Sequence, residues 1–298
     1  MTPTVCCLGG ALVDELFFCE GEVLMGTSNI ANRQIAMGGV ITNIARHLAV
    51  LEISTSLLTA LGDDMNGHWI QRQLASLQIK QPFTANSPLG TGKYVGIQDA
   101  NGQLVTAVCA DAATPNITVD WLQKNLPSIA PSSIYIADAN INPSAMQWLI
   151  EWATSQQLPL IIEPVSVAKA ARLNPLDLKG LWLITPNEEE LAILCPHAAS
   201  LEAQAHDLLQ RGVQNVWVRQ GSRGSTWFSH NEKWQLPAIS CAVVDTTGAG
   251  DAALAGFVYG FLRNKSIPES IQLGHQLASH IVGMKGAFDP TLTHQFFT

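Results

Sequence analysis

Short apolar runs closed by glycine alternate along this chain with apolar positions at helical spacing. Val5-Cys6-Cys7-Leu8-Gly9-Gly10 is an apolar run ending in two glycines, which predicts a buried strand feeding a turn. Ile41, Ile44, Ala45, Leu48 and Leu51 then line one face of a helix. A strand over 56–60 runs into the turn Gly62-Asp63-Asp64-Met65-Asn66-Gly67, and a helix follows over 69–77. Leu16 to Arg33 mixes apolar and polar residues around Gly21 and Gly26, which predicts short strands and turns. Asn101-Gly102 between two apolar runs predicts a hairpin over 92–111.

From Ile117 onward helix and strand alternate. Helices are predicted over 121–126, 144–157, 252–262 and 275–285, and one more begins after Pro186-Asn187. Strands are predicted over 133–137, 158–162, 181–185 and 215–219. Such alternation builds parallel βαβ units. Polar residues at the C-terminal ends of parallel strands face the ligand crevice of an open sheet. Asp138, Asn140, Glu163, Ser166 and Lys169 are therefore candidates as a group, each with a turn or capping role as the plainer alternative.

The 298 residues suffice for one large α/β domain or two small ones, and no repeat, linker or low-complexity segment divides them. A formal charge of −8 with no basic run argues against a nucleic-acid surface. No apolar run approaches the ~18 residues of a membrane span, so no membrane partner is expected. Met1-Thr2-Pro3-Thr4 lacks the charged start of a signal peptide. Cys6, Cys7, Cys19, Cys109, Cys195 and Cys241 show no metal-type pairing, which suits a reduced cytoplasmic protein using cysteine as a small core hydrophobe.

The candidate chemistry centres on Val243 to Phe257. An apolar strand end, Val243-Val244, leads into small residues, and a helix is expected from Ala252. The backbone N–H groups of Gly248, Ala249 and Gly250 can approach an anion closely at such a helix start. Asp251 at the mouth of that nest suits a general base, with a capping role as the alternative. The early glycines do not complete G-x-G-x-x-G, which argues against a dinucleotide-dependent oxidoreductase.

The string Asp245-Thr246-Thr247-Gly248-Ala249-Gly250-Asp251, followed by Ala255-Gly256-Phe257, resembles the C-terminal motif of the ribokinase (PfkB-type) family of sugar and nucleoside kinases. Gly38-Gly39 with Asn43, the Gly62-x-Asp64-x-x-Gly67 turn, Pro186-Asn187-x-x-Glu190 and Gly221-Ser222-Arg223-Gly224 follow the family's order, so the resemblance spans nearly the whole chain. It implies a ribokinase-like three-layer α/β/α fold with a mostly parallel central sheet. It also implies one domain over 1–298, with a small β-sheet lid formed near 15–35 and 90–112. A lid excludes water that would otherwise hydrolyse ATP.

The resemblance also implies roles. Asp14, Gly38, Gly39 and Asn43 would hold a sugar, Asp251 would act as base, and the nest would hold phosphoryl charge. Asn187 would contact ATP phosphate and Glu190 would place Mg²⁺ through water, since magnesium keeps several waters and needs few protein carboxylates. Gly221, Ser222 and Gly224 would lie beside the nucleotide phosphates, with Arg223 adding charge or pointing outward. Asp245 and Thr247, with Gly286, would offer oxygens to a monovalent cation such as K⁺. A homodimer through the lid is a further implication. Glu163-Pro164-Val165-Ser166-Val167-Ala168-Lys169 is similar to a stretch of the bacterial pseudouridine kinases, and Ala137-Asp138-Ala139-Asn140 to their strand end. That likeness assigns Asn140, Glu163 and Lys169 to the substrate and makes the 5′-OH of pseudouridine the expected acceptor. Ribose or another sugar is the alternative. A non-catalytic sensor would have lost the base or the nest, and both are present.

Overall fold

The computed structural model describes residues 4–82, 84–129 and 131–297. Met1, Thr2 and Pro3, on which the reading of the N-terminus rests, lie outside them. The first apolar run is β1 (Thr4–Leu8). β2 (Leu12–Cys19) and β3 (Ala31–Gly38) are longer than the short strands expected there. Then come α1 (Val40–Val50), β4 (Ser54–Gly62), α2 (Met65–Ser76) and β5 (Thr84–Ser87). β6 (Gly92–Gln98) and β7 (Leu104–Ala110) are the expected hairpin. The alternating part holds α3 (Val119–Asn125), β8 (Ile134–Asp138), α4 (Pro143–Ser155), β9 (Leu160–Glu163), α5 (Val167–Ala170), β10 (Leu183–Ile184), α6 (Glu188–Leu194), α7 (Leu201–Gln210) and β11 (Asn215–Arg219). β12 (Ser225–Ser229), β13 (Lys233–Leu236), α8 (Ala249–Leu262) and α9 (Ile267–Val282) complete it.

The main sheet has nine strands in the order β13-β12-β11-β10-β9-β8-β1-β4-β5. It is parallel from β5 to β11, and β12 and β13 add an antiparallel edge. Side chains alternate between its faces, as the pleat requires. Cys6, Leu8, Tyr135, Ile162 and Val216 pack on the side of α4 and α7. Val5, Cys7, Ile134, Ile136, Ile161 and Trp217 pack on the side of α1, α8 and α9. Each Leu or Ile so buried contributes roughly 1.5–3 kcal/mol of transfer free energy, which is why a sheet covered on both faces reads as apolar runs. A second sheet, β3-β2-β6-β7, stands apart from these layers.

α8 is made of small residues because it must lie close to α9. A Cβ on Gly256 would come within 2.6 Å of the Leu273 carbonyl oxygen and 2.8 Å of the Gly274 Cα. α9 starts eight residues before the expected position 275. Ser266 caps it, accepting from Glu269 N while Glu269 returns a bond to the Ser266 backbone. Ser266-Ile267-Pro268-Glu269 is the local signature of that capping box, and it starts the helix two turns ahead of the expected position. Cys6, Cys7, Cys19 and Cys195 are buried as expected, but Cys109 and Cys241 are exposed.

Candidate active site

The head of α8 differs from the expectation in three ways. Val243 and Val244 belong to no strand and are exposed, so the nest hangs from a surface loop rather than from a strand end. The helix begins at Ala249, not at Ala252, with Gly248 as its N-cap in the left-handed region at φ 76°. A side chain at Gly248 would meet the Cβ of Ala287 at 2.5 Å and its Cα at 2.8 Å, so both the backbone angle and the space require glycine. Finally, the Ala249 N–H donates to Thr246 O at 3.3 Å. The amides of Gly248, Gly250 and Asp251 are left without a backbone acceptor, and among the described residues no side chain caps this helix. Asp245 braces the loop, accepting from Thr247 N at 2.9 Å through Oδ1 and from Gly286 N at 3.0 Å through Oδ2.

Asp251 is buried in the first turn rather than sitting at the cap. Burial pushes its carboxyl up to about 7, with the charge of Glu163 adding to the rise and a hydrogen bond from Asn43 opposing it. Asn43, on α1, donates from Nδ2 to Asp251 Oδ2 at 2.9 Å. Its Oδ1 accepts from Arg46 Nη1 at 3.3 Å, and the same Nη1 donates to Met37 O at 3.0 Å. The Arg46 guanidinium lies 3.8 Å from the centre of the Phe288 ring. Burial lowers Arg46 to about 10, and Asp14 opposes that shift. Asp14 itself is raised to about 6 by burial, with Arg46 opposing.

Asp14 sits within β2 of the small sheet. Gly38, across from Leu12, leaves the space that the Asp14 carboxylate occupies. Gly39 caps α1 with its carbonyl, which accepts from Asn43 N at 2.9 Å. Strand pairing puts Ala36, Asp14, Tyr94 and Cys109 in one row across the small sheet and so on one face. The opposite face carries Glu15 between Arg33 at 3.2 Å and Lys93 at 3.1 Å. Lys169 is half-buried on α5, and burial raises the Cys109 thiol while the charge of Lys169 opposes the rise. Asp138 ends β8 fully buried, and burial lifts it to about 6. It accepts from Gly10 N at 3.2 Å and from the backbone and side-chain nitrogens of Asn140, both at 3.0 Å. Asn140 is thereby fixed beside Gly10 at the sheet's C-terminal edge.

Glu163 does not open into the cleft. It is buried at the end of β9 and accepts from Arg219 Nη2 at 2.7 Å and Thr185 Oγ1 at 2.6 Å. The chain after it turns sharply. Ser166 N donates to Pro164 O at 2.9 Å across Val165, whose φ of 73° is costly for a β-branched residue. In that turn Val165 N donates back to Glu163 Oε1 at 3.3 Å, and Ser166 caps α5. Asn187 and Glu190 form a reciprocal capping box on α6, with bonds of 2.8 and 2.9 Å. Glu190 is raised by burial and by Glu163. Its Oε2 makes the capping bond and lies 3.8 Å from Arg219, so Oε1 is the oxygen that could order a water on Mg²⁺. Among the described residues no group of three or more His, Cys, Asp or Glu could hold a metal ion. The turn Gly221-Ser222-Arg223-Gly224 follows β11 after Gln220, and Arg223 points outward to pair with Glu188.

The fold thus gathers Asp14, Gly38, Gly39, Asn43 and Asp251 at one end of α1 and α8, and Glu163, Asn187 and Glu190 around Arg219. Arg219 and Arg46 were not singled out in the sequence. Arg219 ends a parallel strand, the position that selected Asp138 and Glu163, and Arg46 follows Asn43 by three residues on one helix face. Both signals were legible.

A model of the pfkB family of carbohydrate kinases matches residues 2–294. Pseudouridine kinase of Escherichia coli (strain K12) is 25% identical over 296 residues, covering 96% of this chain and 92% of that protein. A carbohydrate kinase from Agrobacterium tumefaciens has a TM-score of 0.86 at 26% identity, covering 99% of this chain and 95% of its own. Ribokinase of Arabidopsis thaliana, solved with ribose and ATP, shares the fold with a TM-score of 0.82 at 24% identity, covering 99% of this chain and 97% of that one.

Proposed function

This chain belongs to the pfkB family of carbohydrate kinases, and on that ground we propose that it passes the γ-phosphoryl group of ATP to the 5′-OH of pseudouridine. Membership of the family makes it a sugar or nucleoside kinase with an alcohol as acceptor. Pseudouridine as that acceptor is supported by the Glu163 to Lys169 stretch and by the pseudouridine kinase among its relatives.

The observation that carries the reading is Asp251: a buried carboxylate with a carboxyl raised to about 7, in the first turn of an uncapped helix. Asp14, Gly39 and Asn43 would hold ribose hydroxyls, since an ionised carboxylate and an amide together offer acceptors and donors. Asp251 would take the proton of the attacking hydroxyl. The amides of Gly250 and Asp251 would donate to the transferring group, where positioning and electrostatics carry most of the rate. Asn187 and Glu190 would face the nucleotide, Mg²⁺ supplying charge to its phosphates when bound. K⁺ would find oxygens at Asp245 and Thr247. The small sheet would cover the sugar and exclude water.

An ATP-consumption assay against pseudouridine, uridine, adenosine, ribose and fructose tests this. Turnover on pseudouridine at least tenfold above the others is expected. Preference for free ribose would move the assignment to a sugar kinase, and no turnover on any acceptor would sink the catalytic reading.

A further inference from the structure

Arg219 brings a guanidinium to the centre of the site, its side chain only 15% exposed. Among the described residues both of its side-chain hydrogen bonds leave from Nη2, to Glu163 Oε1 at 2.7 Å and to Thr185 O at 2.6 Å. Nε has no hydrogen-bond partner among the described residues. Nη1 lies against Gly250 so closely that a Cβ there would collide with it. Its backbone is pinned as well: Arg219 N donates to Pro186 O at 2.9 Å, beside the Asn187 cap. A cation held only to neutralise Glu163 would turn its remaining donors to protein oxygens. Here Nη1 is presented at the helix head where the Gly250 amide stands without a capping side chain. A planar guanidinium beside free amides matches the spread oxygens of a phosphoryl group.

We infer that Arg219 is a catalytic residue of the transfer, its Nη1 donating to an oxygen of the migrating phosphoryl group. This rests on the kinase reading above. The acceptor oxygen bonds to the γ-phosphorus as its proton passes to Asp251. The bond from that phosphorus to the β–γ bridging oxygen breaks, and ADP leaves with the electron pair. Arg219 exchanges no proton. It holds charge on the group between the two bonds, and Glu163 holds Arg219. Gly250 is glycine because any larger residue would displace that guanidinium.

The test must separate this from support of the fold, because removing Arg219 alone leaves Glu163 and Glu190 buried without their cation. The double variant Glu163→Gln/Arg219→Gln removes both charges together. Its melting temperature, its kcat on the best acceptor, and its Kd for ADP and for the β,γ-imido analogue of ATP are measured by calorimetry and assay. The expected result is a melting temperature within a few degrees of wild type and kcat lowered ~10²–10³-fold, the usual cost of one donor to a charged transition state. ADP affinity stays within threefold, and the analogue loses at least tenfold. A folded double variant with kcat and analogue affinity near wild type overturns the inference. If that variant does not fold, Arg219→Lys keeps a cation for Glu163 but loses the second nitrogen, and unchanged kcat there overturns it equally. Wild-type protein that phosphorylates no acceptor would end the kinase reading instead, while the analogue-against-ADP comparison would still report on Arg219.

Discussion

Asn43 and Asp251, 208 positions apart in sequence, meet at 2.9 Å, Nδ2 donating to Oδ2. The bond joins the helix that follows the glycine pair to the helix that carries the candidate base. Asp251→Asn keeps the shape and an acceptor for Asn43 but cannot take a proton. We expect kcat to fall ~10²–10⁴-fold, the share of a positioned general base, with ATP affinity unchanged by calorimetry. Turnover near wild type would remove Asp251 from that role.

The raised carboxyl of Asp251 also fixes a sign for pH. Its pKa of about 7 lies above the ordinary 3.8, so the folded state holds the proton more tightly. Its contribution to stability is complete below about 3.8 and is lost as pH rises through about 7. His47, pushed down to about 4 by burial, works in the opposite direction, but equally in wild type and variant. The melting temperature of Asp251→Asn relative to wild type should therefore climb from pH 5 to pH 8. The wild-type rate should rise with pH and level off above about 7. A flat difference in melting temperature would mean that Asp251 titrates as an ordinary exposed carboxylate.

Much of this was legible in the sequence because it is local. Glycine pairs, the Pro-Asn-x-x-Glu box and the apolar runs each state their own geometry within a few residues. The pairing of Asn43 with Asp251 and the ring of Glu163, Thr185 and Glu190 around Arg219 are not local, since β9, β10 and β11 become neighbours only in the sheet. Glu163 read as a cleft residue because a strand-end rule says which edge a side chain is near. It does not say which partners wait there, and here Arg219, Thr185 and Val165 N take up the carboxylate. Val243 and Val244 read as a strand because apolar pairs usually seek cover, yet here they lie open on the loop.

Asp14 stands on the small sheet, while Asn187 and Glu190, proposed to face the nucleotide, stand at the head of α6 beside the large one, so sugar and ATP binding should separate. Asp14→Ala should weaken acceptor binding by at least tenfold, the loss expected for charged hydrogen bonds worth about 1.5–3 kcal/mol, and leave ADP affinity within twofold. Parallel calorimetric titrations of acceptor and ADP read this directly. Equal loss of both would point to a damaged fold.

Arg46 decides which way the Asn43 amide faces. By donating to Asn43 Oδ1 at 3.3 Å it leaves Nδ2 for Asp251. Without it, Asn43 can rotate and present its oxygen to a carboxylate, which repels. Arg46→Gln should therefore cost about one hydrogen bond, ~1 kcal/mol or roughly fivefold in kcat, and lift the pKa of Asp251 further. The second effect separates orientation from packing, because loss of the stacking contact with Phe288 would lower stability but leave the pH profile in place. We expect the midpoint of the kcat profile in Arg46→Gln to move to higher pH, and Arg46→Lys, which retains a donor and a charge, to restore most of that shift. A midpoint that stays where wild type has it would reduce Arg46 to a packing residue.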